Sequence, residues 1–122
     1  MSDQSFNDWL ISTAELRSKL ETYGKSNLPA DASERHEDQD KSIQNLDDAA
    51  RLLADAETFL IQAEAAAVFQ VRQKFPELTA DERKKVAKGE VLNIKRIVDA
   101  CSATHQSIRS RIFVTMNQGR SR

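Results

Sequence analysis

Residues 79–116 read TADERKKVAKGEVLNIKRIVDACSATHQSIRSRIFVTM, and this stretch decides the fold. Thr79 opens it and Glu82 follows three residues later, which is the spacing of a capping box at the start of a helix. Apolar residues then recur in steps of three and four, a period that predicts a helix with one buried stripe. The members of this stripe are Val91, Ile94, Val98, Cys101, Ile108 and Ile112, with His105 and Met116 at its edge.

Gly89 lies inside this stretch and weakens a helix by about 1 kcal/mol relative to Ala. Two structures are compatible with it: a continuous helix with a locally weak point, or a short helix that ends near Lys88. We predict the continuous helix. Lys and Arg residues crowd the other faces of this helix, so it is expected to pack along one side and to offer positive charge on the others.

The preceding segment, residues 41–75, carries two sets of residues that recur every seven positions: Leu46, Leu53 and Leu60, and Ala49, Ala56 and Ala63. A seam of Leu and Ala is typical of closely packed helix pairs. Pro76 ends this segment, and two long helices joined by so short a connection lie antiparallel. Residues 41–116 are therefore predicted to form a long antiparallel helical hairpin of coiled-coil character.

The N-terminal third predicts a shorter amphipathic helix over residues 1–24, with Gly24 ending it in the left-handed conformation. Residues 25–40 contain Pro29 and many charged side chains and are assigned to a linker. An alternative is that the later linker residues already begin the next helix, capped by Asp31 or Ser33. Residues 117–122 are predicted to be a flexible tail.

The chain of 122 residues is thus predicted to be a single all-α domain, a short N-terminal helix plus the hairpin. Its aromatic content is only 6%, so a core built by one copy would be thin and homo-oligomer formation is expected. The polar N-terminus predicts no signal peptide, and the absence of an apolar run near ~20 residues predicts no contact with a membrane interior. A single cysteine, Cys101, fits a reducing cytoplasm.

Charge is divided unevenly along the chain. Residues 1–82 carry seventeen acidic and eight basic side chains, whereas residues 83–122 carry ten basic and two acidic ones. Such a division predicts either a site for a polyanion or pairing of the basic helix with the acidic one. Both interpretations remain open from the sequence.

Catalysis and metal binding find little support. Cys101 and His105 share a helix face, but a zinc site usually has at least three protein ligands. Neither an orienting group for a Cys–His pair nor a Gly-rich phosphate loop is evident. We therefore expect both to be ordinary packing residues, in a non-enzyme without metal or cofactor.

Two basic clusters are more informative. Arg72 and Lys74 alternate with apolar residues at the end of the second segment, and Arg109 and Arg111 lie close to Phe113. Arg and Lys hold phosphates, and an exposed Phe offers a stacking face to an unpaired base. The alternative is that these cations stabilise the negative ends of helix dipoles while the Phe residues belong to the core.

The residues Asp99-Ala100-Cys101-Ser102, five more positions, and then Ile108-Arg109-Ser110-Arg111-Ile112-Phe113 resemble the C-terminal signature of the UvsY family. These proteins are recombination mediators of tailed phages. A second patch is similar: Glu64-Ala65 followed by Val71-Arg72-Gln73-Lys74-Phe75 matches a segment that the family associates with DNA binding. The likeness covers residues 64–113 in these two patches.

The resemblance implies a non-enzymatic assembly factor in the cytoplasm of a bacterial host. Such a protein binds single-stranded DNA, contacts the single-strand binding protein, and loads a strand-exchange recombinase as a ring-like homo-oligomer. It implies DNA contacts at Arg72 and Lys74, with Arg109 and Arg111 as a second candidate. The residues assigned to oligomerisation are Val91, Ile94, Val98, Cys101, Ile108, Ile112 and Phe113.

Two other functions remain open from the sequence. The first is an adaptor or inhibitor whose acidic helices bind a basic protein. The second is a structural coiled-coil component of a larger assembly. Binding to an oligonucleotide separates the mediator from both.

Overall fold

The computed structural model describes residues 3–120, and over that range the chain forms four helices and no strand. The helices are α1 (Asp3–Lys25), α2 (Ala32–Lys74), α3 (Ala80–Glu90) and α4 (Leu92–Arg120). The prediction of an all-α fold is confirmed. None of the described helices is long and apolar enough to cross a membrane.

Helices α1, α2 and α4 lie side by side around one core. Asp38 near the start of α2 contacts Tyr23 at the end of α1 and Arg111 near the end of α4. At the other end of α2, Ala67 packs with Val91, the residue directly before α4. Helix α2 therefore runs antiparallel to both of its neighbours, and α1 joins the same core rather than docking at its edge.

The heptad residues of α2 face this core. Ala49 and Ala56 are almost completely buried, while Leu46, Leu53 and Leu60 lie half-buried against the same cluster. Because Ala side chains are small, they let the neighbouring helices approach α2 closely. From α1 and α4, the buried partners in this cluster are Leu20, Val98, Cys101 and Ile108.

Helix α2 begins at Ala32, so residues 25–40 are too long for the linker, and the alternative in which the later linker residues begin the next helix is confirmed. Asp31 is its N-cap and accepts a 2.8 Å hydrogen bond from the backbone N–H of Ser33. This bond stabilises the carboxylate and holds the pKa of Asp31 below its ordinary value. The acidic residues of positions 32–40 are helical, at the end where the helix dipole favours negative charge.

Gly24 does not end α1, which contradicts the prediction. Its backbone is not left-handed, and the helix continues to Lys25. The residue is small for a packing reason: an added Cβ would lie 3.1 Å from Cβ of Ser107 on α4. Gly24 therefore marks a close approach of two helices rather than a turn.

The capping box of Thr79 and Glu82 is present, but the helix that it opens is not continuous. It is interrupted at Val91, which has φ −109° and ψ 18°. Gly89 lowers helix propensity just before this point, and Val91 is buried against Ala67 and Ala87. The prediction of continuity was wrong, because packing on α2 fixes the chain at the locally weak position.

The last helix is longer than expected. Residues 117–120, assigned to a flexible tail, are helical. The remainder of that tail, residues 121–122, lies outside the described residues.

Candidate nucleic-acid interface

Arg111 is buried, with 6% of its side chain exposed, and makes an ion pair with Asp38. Its Nε and Nη2 donate to the two carboxylate oxygens at 2.8 and 2.7 Å. Its Nη1 donates at 2.6 Å to the backbone carbonyl of Ser26, in the connection between α1 and α2. The assignment of Arg111 to DNA contact is therefore corrected, because its guanidinium is committed to partners within the chain.

Tyr23 completes this buried network. Its ring lies 4.6 Å below the Arg111 guanidinium, and its hydroxyl donates to the Asp38 carboxylate at 2.9 Å. Burial raises the pKa of Asp38, but hydrogen bonds from Arg111 and Tyr23 outweigh it and hold that pKa below its ordinary value. The hydrogen bond to Asp38 raises the pKa of Arg111. Both groups are thus charged and mutually dependent.

Arg109 is exposed, but it lies far from Arg72 and Lys74. It lines an open groove of about 680 Å³ with Leu46 and Phe113 at the end of the bundle. Val91, which packs beside the end of α2 and directly precedes α4, is eighteen residues before Arg109, a separation of about 27 Å along the helix. The four residues assigned to DNA contact therefore do not form one site.

The residues assigned to oligomerisation are mostly used inside the chain. Five of them are buried within the chain: Val91, Ile94, Val98, Cys101 and Ile108. Ile112 is half-buried against the same core, and Phe113 is 66% exposed. The assignment of this stripe to contacts between subunits is therefore corrected, except at Phe113. Burial also raises the pKa of the Cys101 thiol.

Arg72 and Lys74 are both exposed at the end of α2. Residues two apart on a helix do not face the same side, so the two cations point in different directions. They are joined there by three exposed lysines of α3: Lys84, Lys85 and Lys88. We call these five residues the basic end.

The basic end was not predicted from the sequence, because the position of its lysines depends on how α3 packs against α2. Ala87 of α3 is buried against Ala67 of α2, which brings the lysines of α3 beside the last turns of α2. The signal in the sequence was the run Arg83-Lys84-Lys85 with Lys88 one turn later. Arg83 itself turns inward and donates to the carbonyl of Pro76 at 3.1 Å.

None of the five cations of the basic end forms an ion pair with a side chain that the structure describes, although Glu64 lines the same groove as Lys84 and Lys88. In the described part of the chain, ion pairs join Lys25 to Glu21, Arg51 to Asp47, Lys95 to Asp99, and Arg111 to Asp38. Arg111–Asp38 connects the basic last third of the chain with its acidic part. The five cations of the basic end take part in none of these pairs, so the charge-pairing interpretation does not account for them.

Apolar and aromatic side chains accompany this charge. Phe69 and Phe75 are 62% and 43% exposed. Between α2 and α3 lies a groove of about 240 Å³, lined by Ile61, Glu64, Ala65, Val68, Lys84, Ala87 and Lys88. Exposed cations beside exposed rings are the combination that holds a single strand by its phosphates and its bases.

Clusters of side chains that could bind a metal ion are absent from the described part of the chain. It contains no group of three or more His, Cys, Asp or Glu side chains that could hold an ion. Cys101 is buried and lies in the core cluster with Leu20 and Ala49, which explains it as a packing residue.

No family model matches this chain, and neither a curated protein nor a solved structure matches it. The surface chemistry of the basic end is therefore the main guide to function.

Proposed function

We propose that this protein binds single-stranded DNA at the basic end and acts as a recombination mediator. The observation that carries the proposal is the set of five exposed, unpaired cations around the junction of α2 and α3, with Phe75 among them. Arg72 and Lys74 keep the role assigned from the sequence, and the lysines of α3 extend it. Arg109 lies outside this site, and we propose it only as a weaker contact to the DNA.

Charge explains why a strand would bind at this end. Each phosphate neutralised on a single strand releases counterions, which lowers log K by about 0.7 for each tenfold rise in salt. If three to five cations of the basic end contact phosphates, the slope of log K against log salt is about −2 to −3.5. Exposed carboxylates at the start of α2, Glu34, Glu37 and Asp40, repel DNA from the opposite end.

The likeness to the UvsY family extends the proposal beyond binding. In that role the strand is held at the basic end while the acidic end remains free for the recombinase or the single-strand binding protein. The coiled-coil-like hairpin is formed by α2 and the α3–α4 segment, and copies of it associate as a homo-oligomer. No catalytic step is required of the protein in this function.

The proposal is tested by the anisotropy of a labelled oligo-dT strand at about 50 and 200 mM NaCl, where counterion release predicts much weaker binding at the higher salt. Arg72→Ala with Lys74→Ala, and separately Lys85→Ala with Lys88→Ala, should each weaken binding several-fold. The matched control is Lys19→Ala with Lys41→Ala, two exposed lysines outside the basic end. Absence of binding at low salt, or equal losses in the control, contradicts the proposal.

Loading is tested separately, by adding the protein to a strand already coated with a single-strand binding protein and measuring recombinase assembly. A mediator shortens the lag before assembly, and the Lys85→Ala, Lys88→Ala variant should restore the lag. DNA binding without any effect on the lag contradicts the loading role alone.

A second candidate is the adaptor that binds a basic protein through the acidic end. It is favoured by the exposed carboxylates of the first turns of α2. Under this alternative, reversing charge at Glu34 and Glu37 abolishes partner capture, whereas substitutions at the basic end do not.

A further inference from the structure

Helix α2 carries a second apolar stripe, on a face that the bundle does not cover. Its members recur at steps of four and seven and are all exposed: Ile43, Ala50, Ala54, Ile61, Ala65 and Phe69. Ile43, Ile61 and Phe69 are 54%, 67% and 62% exposed. We call this the outer stripe. An amphipathic surface helix needs one apolar face, and α2 has two.

A groove borders the outer stripe near the end of α2, and a second groove lies near the start of α2. One is the groove of about 240 Å³ between α2 and α3, where Ile61 and Val68 lie beside Lys84 and Lys88. The other is the open groove of about 680 Å³ near the start of α2, where Leu46 lies beside exposed Phe113 and Met116 on α4. Exposed apolar side chains therefore occur near both ends of α2.

Charge on this face changes sign from one end to the other. Asp40 and Asp47 lie one turn before and one turn after Ile43 on α2. Arg72 lies one turn after Phe69, next to the lysines of the groove between α2 and α3. Asp47 forms an ion pair with Arg51, whereas Asp40 forms no ion pair among the described side chains. Glu64 also lines the groove between α2 and α3, so the Phe69 end carries three cations and one carboxylate, and the stripe is acidic at one end and net basic at the other.

We propose that the outer stripe pairs with the outer stripe of a second copy of this chain, antiparallel and about a two-fold axis. This orientation places the Ile43 end of one copy against the Phe69 end of the other. Asp40 then faces Arg72 of the second copy, and the same pair forms again across the axis. A parallel pairing would instead put acidic residues against acidic ones and basic against basic.

Side-chain size and area fit this arrangement. Ala50, Ala54 and Thr58 lie near the axis, where small residues let two helices approach closely. From Ile43 to Phe69 the stripe is about 40 Å long. At the ~10 Å width of a helix face, the stripe would bury about 400 Å² on each copy, an area that suits a weak dimer in the micromolar range.

The pairing does not depend on DNA binding, but the two share Arg72. Because Asp40 of the second copy and a phosphate would compete for that cation, a bound strand is expected to weaken the dimer. This surface also differs from the α4 stripe, which is buried within the chain.

Sedimentation equilibrium of the full-length chain tests the dimer, and Ile61→Gln tests the surface. The wild-type protein should be dimeric in the micromolar range, and Ile61→Gln should weaken the dimer by about tenfold or more, since each copy loses an apolar contact. The control is Ile11→Gln, because Ile11 is 77% exposed on α1 and lies outside the stripe. A wild-type monomer at about 100 μM, or equal effects of the two variants with unchanged helicity, overturns the proposal.

Charge exchange and cross-linking test the orientation. Asp40→Arg and Arg72→Asp should each weaken the dimer, and the double variant should restore it, which a merely structural role would not produce. With Cys101→Ser, a mixture of Ile43→Cys and Phe69→Cys chains should form the mixed disulfide. Failure of the double variant to recover, or an Ile43→Cys homodimer disulfide instead of the mixed one, overturns the antiparallel pairing.

Discussion

Arg111 and Asp38 are 73 positions apart in the chain, yet the guanidinium of the first meets both carboxylate oxygens of the second at 2.8 and 2.7 Å. The pair ties the end of α4 to the start of α2. The Ser26 carbonyl adds the connection between α1 and α2 to the same point. All three long helices are therefore held at this end by one buried cation.

Substituting one partner of this ion pair should lower the free energy of unfolding more than substituting both partners by apolar residues. Asp38→Leu or Arg111→Met alone leaves an uncompensated buried charge, which costs about 3–5 kcal/mol. Asp38→Leu with Arg111→Met removes both charges, and the free energy of unfolding of this double variant should lie within about 2 kcal/mol of the wild-type value. Urea denaturation of the four proteins measures the coupling. Additive single effects would show that the two side chains act independently.

The depressed pKa of Asp38 predicts how stability depends on pH. In the unfolded chain this carboxyl titrates at about pH 3.9. Its folded pKa is lower, so the unfolded state binds the proton first as pH falls. The stabilisation is complete above about pH 5 and is lost as pH falls below about 4, through the folded pKa.

The comparison that isolates this effect is wild type against Asp38→Asn. The difference in their free energies of unfolding should stay constant from about pH 8 to pH 5 and shrink below about pH 4. Every other carboxylate is common to both proteins and cancels. A difference that grows on acidification would contradict the assignment.

The helices were predictable because period, caps and heptads are local properties. Thr79 and Glu82 form the expected capping box, and the heptad alanines Ala49 and Ala56 are buried. The partners of each side chain were not predictable in the same way. Arg111 looks from the sequence like Arg109, its neighbour two positions away, but only the fold places Asp38 opposite it.

The same limit applies to the candidate site. Arg72 and Lys74 stood out because they alternate with apolar residues, but the lysines of α3 join them only through the packing of Ala87 on Ala67. Gly24 was misassigned for a related reason. A glycine that ends a helix and one that lets two helices approach look the same until the opposing helix is known.

Gly24 and Gly89 make a matched pair for testing that distinction. Both are helical, and Gly→Ala in a helix gains about 0.5–1 kcal/mol when nothing opposes it. An added Cβ at Gly89 meets nothing within 4 Å, whereas at Gly24 it would press on Cβ of Ser107 at 3.1 Å. Thermal melts should therefore place Gly89→Ala above wild type and Gly24→Ala below it. The reverse order would remove the packing role of Gly24.

Stacking by Phe75 can be separated from charge at the basic end. Removal of a stacked ring costs about 1–3 kcal/mol for each base, so Phe75→Ala should weaken binding of oligo-dT about fivefold or more. It should leave the salt slope unchanged, because the ring neutralises no phosphate. Lys85→Ala should instead reduce the magnitude of the slope by about 0.7. Duplex DNA, whose bases are already stacked, should respond to Lys85→Ala and not to Phe75→Ala.

Phe113→Ala is the control, since this ring is 66% exposed at the opposite end of the bundle. The backbone N–H of Phe75 donates to the carbonyl of Val71, a bond that Phe75→Ala preserves, so the end of α2 should keep its conformation. If Phe113→Ala weakens binding as much as Phe75→Ala does, the strand is not held at the basic end. If Phe75→Ala lowers the salt slope, the ring acts by positioning its neighbouring cations rather than by stacking.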